Sequence, residues 1–283
     1  MSSDFGTKQA PIVIRDQDLV PSWDLKRARE PGFRRSLTTW VGGPEGYINS
    51  NLGVSATSRG CAAGLMRMAV GERQPGVHVH SVTEIYVILK GEVESFDGVG
   101  RRHRAGRLDC LYIPKGVPHG VRAVGDEDLE LIWVHDGIER NGVSVYLEGD
   151  GPFPAEREVE LIRFQDLRPA GEAMGGSGMG WSVTWVAGPD GSPDYNPGLA
   201  AENGLVGLGM TALPPGVHLE PPQHGGPRLC VVLQGNGTAR PGAQAVGLGP
   251  LDALYAPAPG AEDIVNAANA PLHVLWVDEA AGG

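Results

Sequence analysis

The sequence predicts an all-β protein built from two tandem copies of one domain. Three observations carry this. Short runs rich in Val, Ile, Leu and aromatics alternate with turn residues, no segment sustains a strong helical period, and the first half of the chain returns in the second.

The repeat is plain in five places. T-W-V-G-G-P-E-G at 39–46 returns as T-W-V-A-G-P-D-G at 184–191. P-G-V-H at 75–78 returns at 215–218. L-D-C-L-Y-I-P at 108–114 returns as L-D-A-L-Y-A-P at 251–257. L-I-W-V at 131–134 returns as L-W-V at 275–277, and the lead-in I-R-x-Q-D-L-x-P at 14–21 has a relative at 162–169. The period of about 143 residues is half the chain and too long for a solenoid unit. The joint is expected near Gly151–Pro154, giving an N-terminal domain over 1–150 and a C-terminal domain over 151–283.

Taken in order, the charged stretch Ser22–Arg35 is the one place expected to hold a short helix. Strands are then expected at Gly64–Val70, Gly76–Ser81, Glu84–Leu89, Glu92–Phe96, Asp109–Ile113, His119–Ala123 and Leu129–His135. Strands at this spacing, separated by Gly, Pro and Asp, belong to a sandwich or barrel.

Composition narrows the function. Against 34 acidic residues stand 23 basic ones, a net charge of −11. Such a chain is unsuited to a phosphate backbone or an anionic membrane surface, so neither nucleic acid nor membrane is an expected partner. The N-terminus has no basic region followed by an apolar run, and no run of about 18 apolar residues occurs. Cys61, Cys110 and Cys230 are odd in number and far apart. A reducing compartment, the cytoplasm, is the expectation. No phosphate-binding glycine loop, nucleophile elbow or helix-turn-helix is present in the sequence.

The segment that carries chemistry is P-G-V-H-V-H-S-V-T-E-I-Y-V-I-L-K-G at 75–91. On a strand, His78 and His80 point to one face. Glu84 follows a short turn and opens the next strand, with Tyr86 and Ile88 inward and Ile85, Val87 and Leu89 outward. His119, after a Pro-rich turn, returns the chain toward the same cavity. Three imidazoles and one carboxylate suit a divalent Fe, Mn, Ni, Co, Cu or Zn ion and leave two positions of an octahedral ion open. Glu84 is also the candidate catalytic residue, because a carboxylate ligand can shift as substrate enters. Met66, Met68, Tyr86 and Trp133 suit core packing and are the candidate apolar pocket wall; His135 stands near the mouth or ends a strand. Asp109 is read as a turn residue or as a carboxylate orienting a ligand histidine, and Cys110 as a small core residue.

This ordered set, H-x-H-x(3)-E-x(6)-G at 78–91 and G-x(7)-P-x-G-x(2)-H at 106–119, resembles the two cupin motifs. The second departs from the usual spacing in a turn only. The resemblance implies two tandem jelly-roll barrels, a bicupin, in which His78, His80, Glu84 and His119 bind a metal inside the first barrel.

The second copy has lost the pattern. Aligned from Gly235, which matches Gly91, Arg228 falls at the Glu84 position and His218 at the His78 position. Glu220 matches His80, His224 lies in the longer loop, and Glu262 takes the place of His119. A buried cation opposes a divalent metal. Arg228 is therefore expected to pair with Glu220 or Glu262, or to bind a carboxylate ligand, and the second barrel to serve a structural role. The candidate residues there are His218, His224, Arg228 and Glu262.

The expected function is that of a metal-dependent enzyme acting on a small organic molecule. Dioxygenase-type oxidation with Fe(II), Mn(II) or Ni(II) comes first, supported by the resemblance to cupin dioxygenases. Non-redox isomerase, cyclase or lyase chemistry with the same ligands is the alternative, and a small-molecule-binding protein without turnover is the third reading. A monomer or a homodimer is expected.

Overall fold

The computed structural model describes residues 10–139, 144–149, 151–170, 180–188, 195–219, 225–257 and 263–281. The chain forms two compact units, one of Gln17–Arg168 with Tyr195–Ala201, the other of Met1–Asp16, Pro169–Asp194 and Glu202–Gly283. Both are all-β, as the repeat predicts. Among the described residues the helical elements are three-residue 3₁₀ turns, and no helix is long and apolar enough to cross a membrane.

In the first unit a seven-stranded sheet runs in the spatial order Glu160–Ile162, Cys110–Ile113, Glu84–Lys90, Leu129–His135, Ala62–Met68, Arg35–Gly42 and Ala56–Thr57. A five-stranded sheet runs Val145–Tyr146, His78–Val79, His119–Val124, Glu92–Asp97 and Arg102–Ala105. Their inner faces share one core: Met66, Tyr86, Ile88, Leu111 and Leu131 come from the larger sheet, and Val93, Ala105, Val121 and Ala123 from the smaller. Two sheets closed over one core, antiparallel except where Arg35–Gly42 pairs with Ala56–Thr57, are the jelly-roll barrel. Tyr86 and Ile88 face inward as their alternation predicts, while Ile85 and Val87, the expected outward pair, are also fully buried.

The second unit repeats the plan. Its seven-stranded sheet runs Ile12–Ile14, Ala253–Ala256, Arg228–Gln234, Leu272–Glu279, Val206–Leu213, Trp181–Ala187 and Ala201–Glu202, and its three-stranded sheet runs Val246–Leu248, Gly237–Ala239 and Ile264–Val265. Leu213, Cys230, Val232 and Leu254 meet Ala239, Leu248 and Ile264 in its core.

The two lead-in repeats are edge strands. Ile12–Ile14 pairs with Ala253–Ala256, and Glu160–Ile162 pairs with Cys110–Ile113. Each is pinned by the aspartate of its L-D motif. Asp109 accepts hydrogen bonds from Gly106 N (3.0 Å), Phe164 N (3.0 Å) and Arg163 Nη1 (2.8 Å). Asp252 accepts from Gly249 N (2.9 Å), Asp16 N (3.0 Å) and Arg15 Nη1 (2.7 Å). Asp109 is thus a turn-and-strand anchor, and the reading of it as a carboxylate orienting a ligand histidine is replaced. The expected joint near Gly151–Pro154 lies between Val145–Tyr146 and Glu160–Ile162, both strands of the first barrel.

The stretch Ser22–Arg35 folds as successive turns, in place of the expected helix. Ala28 N donates to Leu25 O, Glu30 N to Arg27 O and Phe33 N to Glu30 O, three-residue bonds that never extend into a helical ladder. Arg27 has φ of 60°, outside the helical region, and Gly32 has φ of 87° just after Pro31.

Candidate metal centre and cavity

The first barrel brings the four predicted ligands together. His78 stands opposite His119 in register. Glu84 stands opposite His135, because strands Glu84–Lys90 and Leu129–His135 are neighbours. Two local devices hold the start of the Glu84 strand. Thr83 N donates to Asp136 Oδ1 (2.7 Å), and Asp136 N donates to Thr83 O (3.1 Å). The Pro114–Val117 turn, with Gly116 at φ of 77°, closes through Val117 N to Pro114 O and ties Gly116 N to His80 O (2.8 Å). It delivers His119 into the barrel. One ligand atom from each of His78, His80, Glu84 and His119 lies within 4.8 Å of the others, and all four residues are buried.

The outer nitrogens of two histidines are tied down. His119 Nδ1 donates to Val117 O (2.9 Å). His80 Nδ1 makes a short hydrogen bond to Glu139 Oε1. In each ring this fixes the orientation and turns Nε2 toward Glu84 Oε2, at 2.9 Å from His119 and 3.2 Å from His80. His80 Nε2 is buried without a hydrogen-bond partner, and so is His78 Nδ1. Buried imidazole nitrogens in that state are unusual. A cation shared by these donors would satisfy them, so the residues present fit a divalent metal.

The electrostatics agree. Burial works against the Glu84 anion, but the His80 charge and the hydrogen bonds from His119 and His135 outweigh it and hold its pKa well below the usual carboxylate range. Burial likewise works against a His80 cation, yet the Glu84 charge and the bond to Glu139 raise its pKa to about 10. His78 goes the other way: burial and the neighbouring His119 and His80 push its pKa well down. Two buried carboxylates among four histidines thus make a centre that favours positive charge.

A cavity opens on this centre. Its lining includes His78, His80 and Glu84, the polar Arg35, Gln74, Ser144 and Tyr146, and the apolar Leu37, Ile48, Met66 and Trp133. Of the candidate wall residues, Met66, Tyr86, Trp133 and His135 line it. Met68 does not: it stands opposite Leu129, two residues further along the strand than Met66, and is buried in the core. Trp133 lies flat against Gly64, where any Cβ would sit 2.8 Å from its ring and 2.0 Å from Thr38 O.

Two neighbours of the centre, Tyr47 and Glu139, were not legible in the motifs, and the candidate His135 proves to touch Glu84 directly. His135 Nε2 lies 3.2 Å from Glu84 Oε1, and Tyr47 Oη lies 3.1 Å from His135 Nδ1. Glu139 holds His80. Tyr47 and Glu139 lie in loops with no strand spacing to mark them; only the end of the L-I-W-V repeat at His135 hinted at its place.

Of the second barrel's candidates, His218 and Arg228 lie among the described residues, and each pairs with an aspartate. Arg228 is buried and forms a two-pronged ion pair with Asp278, Nη2 to Oδ2 at 2.7 Å. The expected partners Glu220 and Glu262 lie outside the described residues, so that pairing is not described. The Asp278 pairing is set by register, because Arg228 stands directly opposite Asp278. His218 has a largely exposed side chain, with Nδ1 2.8 Å from Asp263 Oδ1, and it stands opposite the apolar Val265. Glu220, His224 and Glu262 lie outside the described residues. Among the described residues, the one His/Cys/Asp/Glu group able to hold a metal is His78, His80, Glu84 and His119.

A duplicated jelly roll with one three-histidine, one-glutamate centre defines a class of metal-binding β-barrel proteins. Residues 64–135 match the family model described as a cupin domain. The first barrel thus carries a segment that matches the cupin domain, and the second unit repeats its β plan. The chain is similar in structure to the putative glyoxylate-induced protein of Pseudomonas aeruginosa (14% identity, 95% of this chain and 89% of that one, TM-score 0.63). It is also similar to YhhW of Escherichia coli (15%, 95% and 97%, 0.61) and to oxalate decarboxylase of Bacillus subtilis (17%, 96% and 76%, 0.61). At these identities the likeness establishes the fold. A comparison with curated protein sequences finds no match.

Proposed function

We propose that the protein is a metal-dependent cupin enzyme whose N-terminal barrel oxidises a small organic molecule in a dioxygenase-type reaction. The observation that carries this is the convergence of His78, His80, Glu84 and His119 on one cavity. A divalent Fe, Mn or Ni ion held by these four residues would supply Lewis acidity and redox capacity at its remaining positions. The similar Bacillus subtilis oxalate decarboxylase has Mn(II) centres, which supports manganese as the first metal to test. Glu139 and Val117 O orient the imidazoles. Leu37, Ile48, Met66 and Trp133 exclude water from the bound molecule and strengthen the electrostatics around it.

A second reading, non-redox lyase or isomerase chemistry, is favoured by the Tyr47–His135 pair. His135 Nε2 beside Glu84 can hold or deliver a proton, with Tyr47 fixing the other ring nitrogen. The test is metal analysis of the purified protein, then turnover of diketones, catechols and keto acids with oxygen uptake recorded. Oxygen consumed in step with substrate supports the first reading, and turnover without oxygen supports the second. Glu84→Gln keeps the side-chain size but removes its charge. It should retain part of the metal and lose most turnover; full occupancy with near-normal turnover would remove Glu84 from the centre.

A further inference from the structure

The cavity contains a buried cation that no side chain neutralises. Arg35 is 3% exposed and opens the strand Arg35–Gly42. Its Nη1 donates to Phe33 O (3.0 Å), its Nη2 to Lys26 O (2.9 Å), and Nη2 lies 3.5 Å from Tyr146 Oη. All three partners are neutral. Among the described residues no carboxylate lies within ion-pair distance of it, although a buried arginine is almost never left unpaired. Arg228, equally buried, shows the usual solution in its two-pronged bond to Asp278. Arg35 remains charged at neutral pH even though burial lowers its pKa.

The surroundings add a second positive group. Lys26 Nζ lies 4.3 Å from the centroid of the Tyr146 ring, and that ring stands 5.0 Å from His78. Lys26 is exposed and lies outside the lining, so the cation in the cavity wall is Arg35, in a chain whose net charge is −11.

We infer that the cavity takes a small carboxylic acid, with its carboxylate on the Arg35 guanidinium and its other polar end toward the His78, His80 and Glu84 donors. This rests on the cavity being the substrate site. A carboxylate matches the guanidinium fork with two charge-assisted hydrogen bonds, whereas a neutral ligand would leave the cation buried and uncompensated. The walls of Leu37, Ile48, Met66 and Trp133 around the centre favour a compact acid.

The probes are malonate, succinate and glutarate, each compared with its monoamide by calorimetry on the full-length, metal-analysed protein. At least one diacid should bind about tenfold or more tightly than its monoamide, the range of a charge-assisted contact. Arg35→Gln should abolish that preference without changing metal content. Arg35→Lys, which keeps the charge but not the fork, should retain part of it and guards against a folding defect in the Gln variant. Equal binding of every acid and amide, or a preference that survives Arg35→Gln, overturns the inference. A preference lost in Arg35→Gln, in a protein that takes up no metal, would leave the anchor standing and remove the metal reading instead.

Discussion

The two barrels place opposite chemistry on the same backbone row. In the first, Glu84 stands across from His135, and His135 across from Ala62. In the second, Arg228 stands across from Asp278, and Asp278 across from Gly207. The Arg228–Asp278 pair is closed by two hydrogen bonds between its side chains. The Glu84–His135 pair is open, because the same carboxylate also faces His80 and His119, and His80 Nε2 remains without a hydrogen-bond partner. One scaffold therefore supports either an arginine–aspartate ion pair or an incomplete donor set. What separates them is whether further ligands arrive from the facing sheet: His78 meets His119 in the first barrel, but His218 meets Val265 in the second.

The sharpest way to break this contrast is to open the closed pair. Asp278→Ala leaves Arg228 buried without its carboxylate, and should cost about 3–5 kcal/mol in chemical denaturation while leaving metal content unchanged. A loss below about 1 kcal/mol would mean the pair behaves like an exposed one. A smaller effect is expected from Glu139→Gln in the first barrel. The neutral amide holds His80 less firmly, and metal affinity should fall about 10–100-fold in a chelator competition. Unchanged affinity would make Glu139 a packing residue. The smallest effect belongs to His218→Ala. With its side chain largely exposed and bonded to Asp263, the change should stay within about 0.5 kcal/mol and leave metal uptake as it was. Loss of a metal equivalent in this variant would give the second barrel a site of its own.

The ligand set was legible because strand geometry is local. His78 and His80 share a face through their i, i+2 spacing, Glu84 follows one turn later, and the repeats mark equivalent strands. The residues that complete the site arrive by other routes. Tyr47 and Glu139 come from loops and Arg35 by pairing across the sheet, and no sequence spacing records either. The charged stretch Ser22–Arg35 misled for a related reason. Helical composition was visible there, but the turns around Arg27 and Gly32 decided its path. The lead-ins at 14–21 and 162–169 were visible as a repeat, while their role as edge strands anchored by Asp252 and Asp109 depends on contacts about 240 and 55 residues apart in the chain.

The central claim is that one divalent metal belongs to each chain and is held in the first barrel. Metal content per chain, measured after reconstitution and desalting on the wild type and on His119→Ala, tests it most directly. The account predicts one equivalent in the wild type and nearly none in His119→Ala, with both proteins folded by circular dichroism. A full equivalent retained by folded His119→Ala would contradict it.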